Sequence, residues 1–347
     1  MKKIMFLSVF CLVLASCAPE SSIAGPAQPA PVVFAAATAT QPPVATQPPV
    51  ATQEPTIVAT ATSTATPQIS ATDIIPNFDH IVLILLENEY YQDVIGNGEL
   101  PQINTLGHQN VLLSNYSAIA HPSLPNYLAL VSGSTQNVTS DCMDCFFDQP
   151  NLADEIEASG RTWKSYQESM PSPCFIGDAG AYAQWTNPFI YFNSIRLDKT
   201  RCDRSIVPLS QLTSDLAANQ LPNFSWIAPN LCDSGHSCNA ANTDKWVSAM
   251  IAKLEASPAL GQNSLIVITF DEGVERNTSG VNSNTRGQIA TVLISPLARQ
   301  GFTDANTYSH YSLLKTILTA WNLPALGNTA QDSIQPIVEP WNTQLGQ

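Results

Sequence analysis

Ile81-Val-Leu-Ile-Leu-Leu86 runs without a break into Glu87-Asn88, and Leu265-Ile-Val-Ile-Thr-Phe270 runs in the same way into Asp271-Glu272-Gly273. Both runs have strand length and are apolar at consecutive rather than alternate positions. That is the pattern of a strand covered on both faces. Val111–Leu113, Trp163–Tyr166, Phe224–Ala228 and Ala290–Ile294 are further strand candidates. Helical patterns lie between them: one that Asn151 caps and that ends at Gly160, then Pro208–Asn219, Asp244–Glu255 and Ser312–Trp321. Strands alternating with helices predict an α/β domain, a mostly parallel central sheet with helices on both faces.

Open α/β sheets bind ligands beyond the carboxyl ends of their strands. If the two buried strands are parallel, Glu87, Asn88, Asp271 and Glu272 meet at one sheet edge. Carboxylates crowded together repel one another, and a divalent cation relieves that repulsion. One such strand end reads as a helix cap or a solvated loop; two in one chain favour a metal site. Their carboxylate and amide oxygens suit Ca, Mg, Mn or Zn alike.

The third element is His121-Pro-Ser123-Leu-Pro-Asn126-Tyr-Leu-Ala-Leu-Val-Ser-Gly133. Pro125 suits a first helical turn. Ser123 then sits at the positive helix end, where backbone N–H groups favour an anion and ease ionisation of a hydroxyl. By itself Ser123 would be a helix cap; beside the acids it becomes a candidate nucleophile. Of five histidines, His80 and His108 read as structural. His236 lies between Cys232 and Cys238, and His310 opens a helical pattern.

The chain has 347 residues, of which 12% are charged, with Lys+Arg 14 against Asp+Glu 28. A net charge of −14 argues against nucleic acid as a partner, because a phosphate backbone needs a basic face. The low charge content has a local cause: from Ala18 to Thr72 only Glu20 and Glu54 are charged. That stretch holds ten of the 26 prolines and repeats Gln-Pro-Pro-Val-Ala-Thr at 41–46 and 47–52. It predicts a disordered, partly polyproline tether, able to span about 40 Å as a coil. Upstream, Met1-Lys2-Lys3 and the apolar Ile4–Leu14 read as an export signal, too short to cross a bilayer. Leu14-Ala15-Ser16-Cys17 resembles a bacterial lipobox, which implies lipid modification of Cys17. The expected division is a signal peptide over 1–16, a linker over 17–75 and a catalytic domain over 76–347. The expected location is extracytoplasmic, anchored to the membrane through Cys17.

Six further cysteines remain, at 142, 145, 174, 202, 232 and 238, an even number that suits disulfides in an exported chain. Fifteen pairings are open to six cysteines, and three bridges in sequence order are our choice among them. Cys142-Met-Asp-Cys145 also has zinc-ligand spacing, but it lacks a matching second CxxC.

Taken together, His80–Asn88, His121–Gly133, Lys164–Phe175, Asn187–Phe192, Leu221–His236, Thr269–Gly273 and the segment opening with His310 resemble the acid phosphatase and phospholipase C-like phosphoesterase family of the alkaline phosphatase superfamily. The resemblance covers about residues 76–340. It implies a three-layer sandwich like that of alkaline phosphatase, acting on phosphate esters. It implies that Glu87 and Asn88 form the first metal-binding pair, Asp271 and Glu272 the second, and Ser123 the nucleophile of a phosphoseryl intermediate. Asn126 would donate to a phosphoryl oxygen, and His236 and His310 would lie near the phosphate and act in catalysis. Asp233 is a possible added ligand. Two-zinc relatives carry Asp-His where this chain has Asp271-Glu272, so one divalent metal ion is expected. Monoester hydrolysis ranks first, because Met170–Phe175 and Asn187–Phe192 look closer to the acid phosphatase branch. A phospholipase C-like diesterase acting on lipid headgroups is the alternative, and a non-catalytic surface lipoprotein the third. A sulfatase is disfavoured, since Ser123-Leu-Pro-Asn-Tyr lacks the Arg of the formylglycine motif.

Overall fold

The computed structural model describes residues 70–273 and 287–341. The chain divides into two units, 1–64 and 65–347, and every described residue belongs to the second. The expected signal, Cys17 and nearly all of the expected linker lie outside the described residues.

Nine strands form one sheet: β1 (His80–Leu86), β2 (Val111–Ser117), β3 (Trp163–Gln167), β4 (Ile206–Pro208), β5 (Phe224–Ala228), β6 (Ser264–Phe270), β7 (Gln288–Ile294), β8 (Phe302–Asp304) and β9 (Tyr308–Ser309). The order is β4-β3-β5-β1-β6-β7-β2-β8, with β9 beside β2. Neighbours run parallel except at β7, which is antiparallel to both β6 and β2. All six predicted strands are present. The short edge strands β4, β8 and β9 carried no run long enough to read.

The two quoted runs occupy the centre. β1 pairs with β6 in parallel from His80 opposite Ser264 to Leu86 opposite Phe270. Ile81–Leu86 and all of β6 are buried, as continuous apolar runs require when both faces are covered. The Ser123–Ser132 helix packs against the His310–Ala320 helix, and Pro101–Gln109 packs against Ala240–Glu255. The helix predicted from Asp244 begins four residues earlier. The Asn239 side chain accepts from Asn242 N–H at 3.0 Å and caps it there. Its first turn, Ala240-Ala-Asn-Thr243, carries no large apolar side chain, so the hydrophobic period hides the true start. The helix after Asn151 starts where expected, with Asn151 accepting from the N–H groups of Ala153 and Asp154.

The six described cysteines form three disulfides in sequence order, Cys142–Cys145, Cys174–Cys202 and Cys232–Cys238. The Cys142-x-x-Cys145 pair is therefore a bridge and not half of a zinc site.

Candidate active site

The register of β1 and β6 brings Glu87 and Asp271 out side by side. Asp271 N–H donates to Leu86 C=O at 2.9 Å, one step beyond the last paired residues. Glu87 and Asp271 are fully buried and Glu272 nearly so. Asn88 has φ 62°, a left-handed conformation that Asn tolerates better than most residues. The resulting turn aims its N–H at Asp271 Oδ1 (3.0 Å) and its side-chain Nδ2 at Glu87 Oε2 (3.2 Å). Glu272 N–H donates to the same Asp271 oxygen at 2.7 Å. Among the described residues no hydrogen bond reaches the buried Asp271 Oδ2, although the Ser123 hydroxyl faces this carboxyl group. Gly273 closes the motif because a Cβ there would lie 2.3 Å from the Tyr90 ring.

Ser123 is the first residue of its helix, directly after Pro122, and its Oγ donates to Glu87 Oε2 at 3.3 Å. Tyr127 lies one turn further on the same helix face and its hydroxyl donates to Glu87 Oε1. Burial and the Glu87 charge push the Tyr127 phenol well above its ordinary range, so it stays a donor. Asp141 accepts from Leu124 N–H at 2.8 Å and so caps the same helix end from outside it.

Three histidines surround the acids. His121 Nδ1 pairs with Glu272 Oε2. His310 is buried; its Nε2 lies 2.6 Å from Asp271 C=O and its Nδ1 3.1 Å from Tyr116 Oη. A carbonyl can only accept, so Nε2 carries the proton and Nδ1 accepts from the tyrosine. Burial pulls His310 down to about 4, against the pull of that carbonyl, and leaves it neutral. His236 is exposed on the Cys232–Cys238 loop, which is fastened to β1 by Glu87 N–H donating to Ser234 C=O at 3.0 Å. Partial desolvation lowers His236, while the charges of Asp141 and Glu272 pull it back up.

Burial, reinforced by the Glu272 charge, pushes Glu87 up to about 8 despite its hydrogen bonds from Tyr127 and Ser123. Asp271 is raised well above its ordinary range, by burial first and then by Glu87 and Glu272. Among the described residues no group of three or more His, Cys, Asp or Glu side chains is already arranged around a common ion. Glu87 turns its oxygens to Tyr127 and Ser123, and Glu272 turns one to His121. The donor set nevertheless fits a hard cation: three buried carboxylates share one sheet edge, and Asp271 Oδ2 has no hydrogen-bond partner among the described residues.

The predicted residues Glu87, Asn88, Asp271, Glu272 and Ser123 are thus joined in one hydrogen-bonded cluster, with His310 bonded to its rim. Asn126 does otherwise than the resemblance implies. Its Oδ1 accepts from Ile119 and Ala120 N–H, and its Nδ2 donates to Ala120 and Pro122 C=O. With those partners the side chain builds the bend that delivers Ser123. Asp233 is held by Asn230 and Asn242 in its own loop. The sequence reading assigned no role to His121, Tyr127 or Asp141. Tyr127 was detectable from its i+4 spacing to Ser123. Asp141 carried no local signal, because its partner is fixed only by folding.

A mostly parallel sheet whose edge sets a helix-tip serine against buried acids is the architecture of the alkaline phosphatase fold. The chain belongs to the Phosphoesterase family, which residues 98–324 match. Glu87 and Asn88 precede that span. A phosphatidylinositol-3-phosphatase of Mycobacterium tuberculosis is 31% identical over 77% of this chain and 84% of its own length. An acid phosphatase of Aspergillus fumigatus is 30% identical over 72% of this chain but only 56% of its own length, so the chain spans little more than half of that relative. Among solved structures, a Vibrio parahaemolyticus protein of the alkaline phosphatase superfamily superposes with a TM-score of 0.51 at 13% identity, covering 73% of this chain and 70% of the other, which shows the shared fold.

Proposed function

We propose that this protein is a metal-dependent phosphoric monoester hydrolase that forms a phosphoseryl intermediate on Ser123. The observation that carries the reading is the Ser123 hydroxyl bonded to Glu87 where β1 and β6 end together. Ser123 Oγ attacks phosphorus in line and its proton passes to water. The P–O bond to the alcohol breaks, and His236 gives the departing oxygen a proton. Water then attacks the phosphoserine and gives a proton to the now neutral His236; the P–O bond to Ser123 breaks, inorganic phosphate leaves and the serine oxygen regains a proton from solvent. His310 positions Asp271 through its backbone, and His121 positions Glu272. Glu87, Asn88, Asp271 and Glu272 would hold one divalent cation. When bound, it supplies Lewis acidity that eases ionisation of Ser123 and neutralises phosphoryl charge.

The relatives named acid phosphatase and phosphatidylinositol-3-phosphatase support monoesters over diesters. Rapid quenching with labelled p-nitrophenyl phosphate should trap phosphate on Ser123, and Ser123→Ala should abolish turnover without unfolding the protein. Faster cleavage of bis-p-nitrophenyl phosphate would move the reading to a diesterase. We also propose that the chain is exported and anchored by lipid on Cys17, a reading that the three disulfides support. Cys17→Ser should then shift the protein from the membrane fraction to the soluble one.

A further inference from the structure

One side of the site is lined by groups that the chemistry above does not use. Gln184–Thr186 form a single 3-10 turn packed against the Ser123 helix. Gln184 and Thr186 are buried, whereas Trp185 between them is partly exposed. The Trp185 ring lies 5.9 Å from the His236 ring, centre to centre, tilted by 49°. Its indole Nε1 is nonetheless buried and has no hydrogen-bond partner among the described residues.

The turn is rigidly held. Gln184 donates to Met143 C=O at 2.9 Å, accepts from Gly177 N–H at 2.6 Å, and gives its own N–H to Asp178 at 2.9 Å. It thereby joins two segments adjoining disulfides, Cys142–Cys145 and Cys174–Cys202. Each segment bears an exposed apolar side chain, Met143 at 49% and Ile176 at 47%. Fixed loops that display two apolar side chains and an aromatic ring beside a phosphoryl site form a surface for the organic part of an ester.

We propose that Trp185, on the turn that Gln184 ties to the Met143 and Ile176 loops, is the leaving-group subsite and selects phosphate monoesters of apolar or aromatic alcohols. The inference rests on the phosphoesterase reading and deepens it. The ring face takes the apolar portion. His236, beside Trp185, is then placed at the oxygen between that group and phosphorus.

Benzyl phosphate and ethyl phosphate test this, since both release simple alkoxides and differ mainly in the ring. Wild-type protein should prefer the benzyl ester by about tenfold in kcat/KM. Trp185→Ala should bring that ratio close to one, chiefly through KM, and Trp185→Phe should restore most of it. A purely structural role would slow both esters together and leave the ratio unchanged, which overturns the proposal. If Trp185→Ala does not fold, the Met143→Ser/Ile176→Ser double variant must lower the ratio; an unchanged ratio there also overturns it. If wild-type protein cleaves neither ester nor p-nitrophenyl phosphate, the phosphoesterase reading itself fails and takes the subsite with it.

Discussion

Two buried acidic sites in this domain behave in opposite ways. Asp215 is almost fully enclosed, yet Lys164 (2.5 Å), Tyr166 (2.7 Å) and Gln211 (2.9 Å) all donate to it. Burial pushes its carboxyl up, but those donors outweigh burial and hold it below its ordinary value. Asp271 is equally hidden, faces Glu87 and Glu272, has an oxygen without a partner among the described residues, and is pushed well up. A carboxylate balanced within the fold supports folding. One left unbalanced costs stability and makes sense only if a cation or a substrate completes it.

Replacing the two aspartates should separate these roles. Asp271→Asn should lower kcat/KM at least about a hundredfold while leaving the melting temperature after chelation unchanged or higher, because a neutral isostere replaces an unbalanced acid. A lower melting temperature with full activity would erase the contrast.

Cation titration sharpens it further. After chelation, adding the metal at about a hundred times its Kd should stabilise wild-type protein by about 2.7 kcal/mol. The same addition should do little for Asp271→Asn. Equal stabilisation of both proteins would place the ion elsewhere.

The smallest effect belongs to the balanced site. Asp215→Asn should cost about 1–3 kcal/mol of stability and change activity little, as read by denaturant melts and a p-nitrophenyl phosphate assay. Because folding lowers the pKa of Asp215, its contribution is full above the ordinary value of 3.8 and is lost as pH falls through the lower folded value. The stability gap between wild type and Asp215→Asn should therefore close in strong acid. A gap that persists there would mean that Asp215 acts through packing and not through charge.

Much of this was readable from local pattern. Continuous apolar runs require cover on both faces, so Ile81–Leu86 and Leu265–Phe270 declared themselves central strands. The acids that end them marked the sheet edge. Ser123 just before Pro125 announced a helix tip, and Asn151 a cap. Less was readable where a partner is distant in sequence. The Asp141 bond to Leu124, the His121 pairing with Glu272 and the clamp of Gln184 between two disulfide-linked segments leave no periodicity behind.

Local spacing was enough to say which residue types could bear the chemistry and which strands would lie inside, because burial and secondary structure follow the pattern along one segment. Which oxygens face one another is settled by folding. The β1–β6 register sets Glu87 beside Asp271, and the bend that Asn126 builds delivers Ser123 to them. Hydrogen bonds and Coulomb forces act over a few ångströms of space, and distance along the chain does not specify that space.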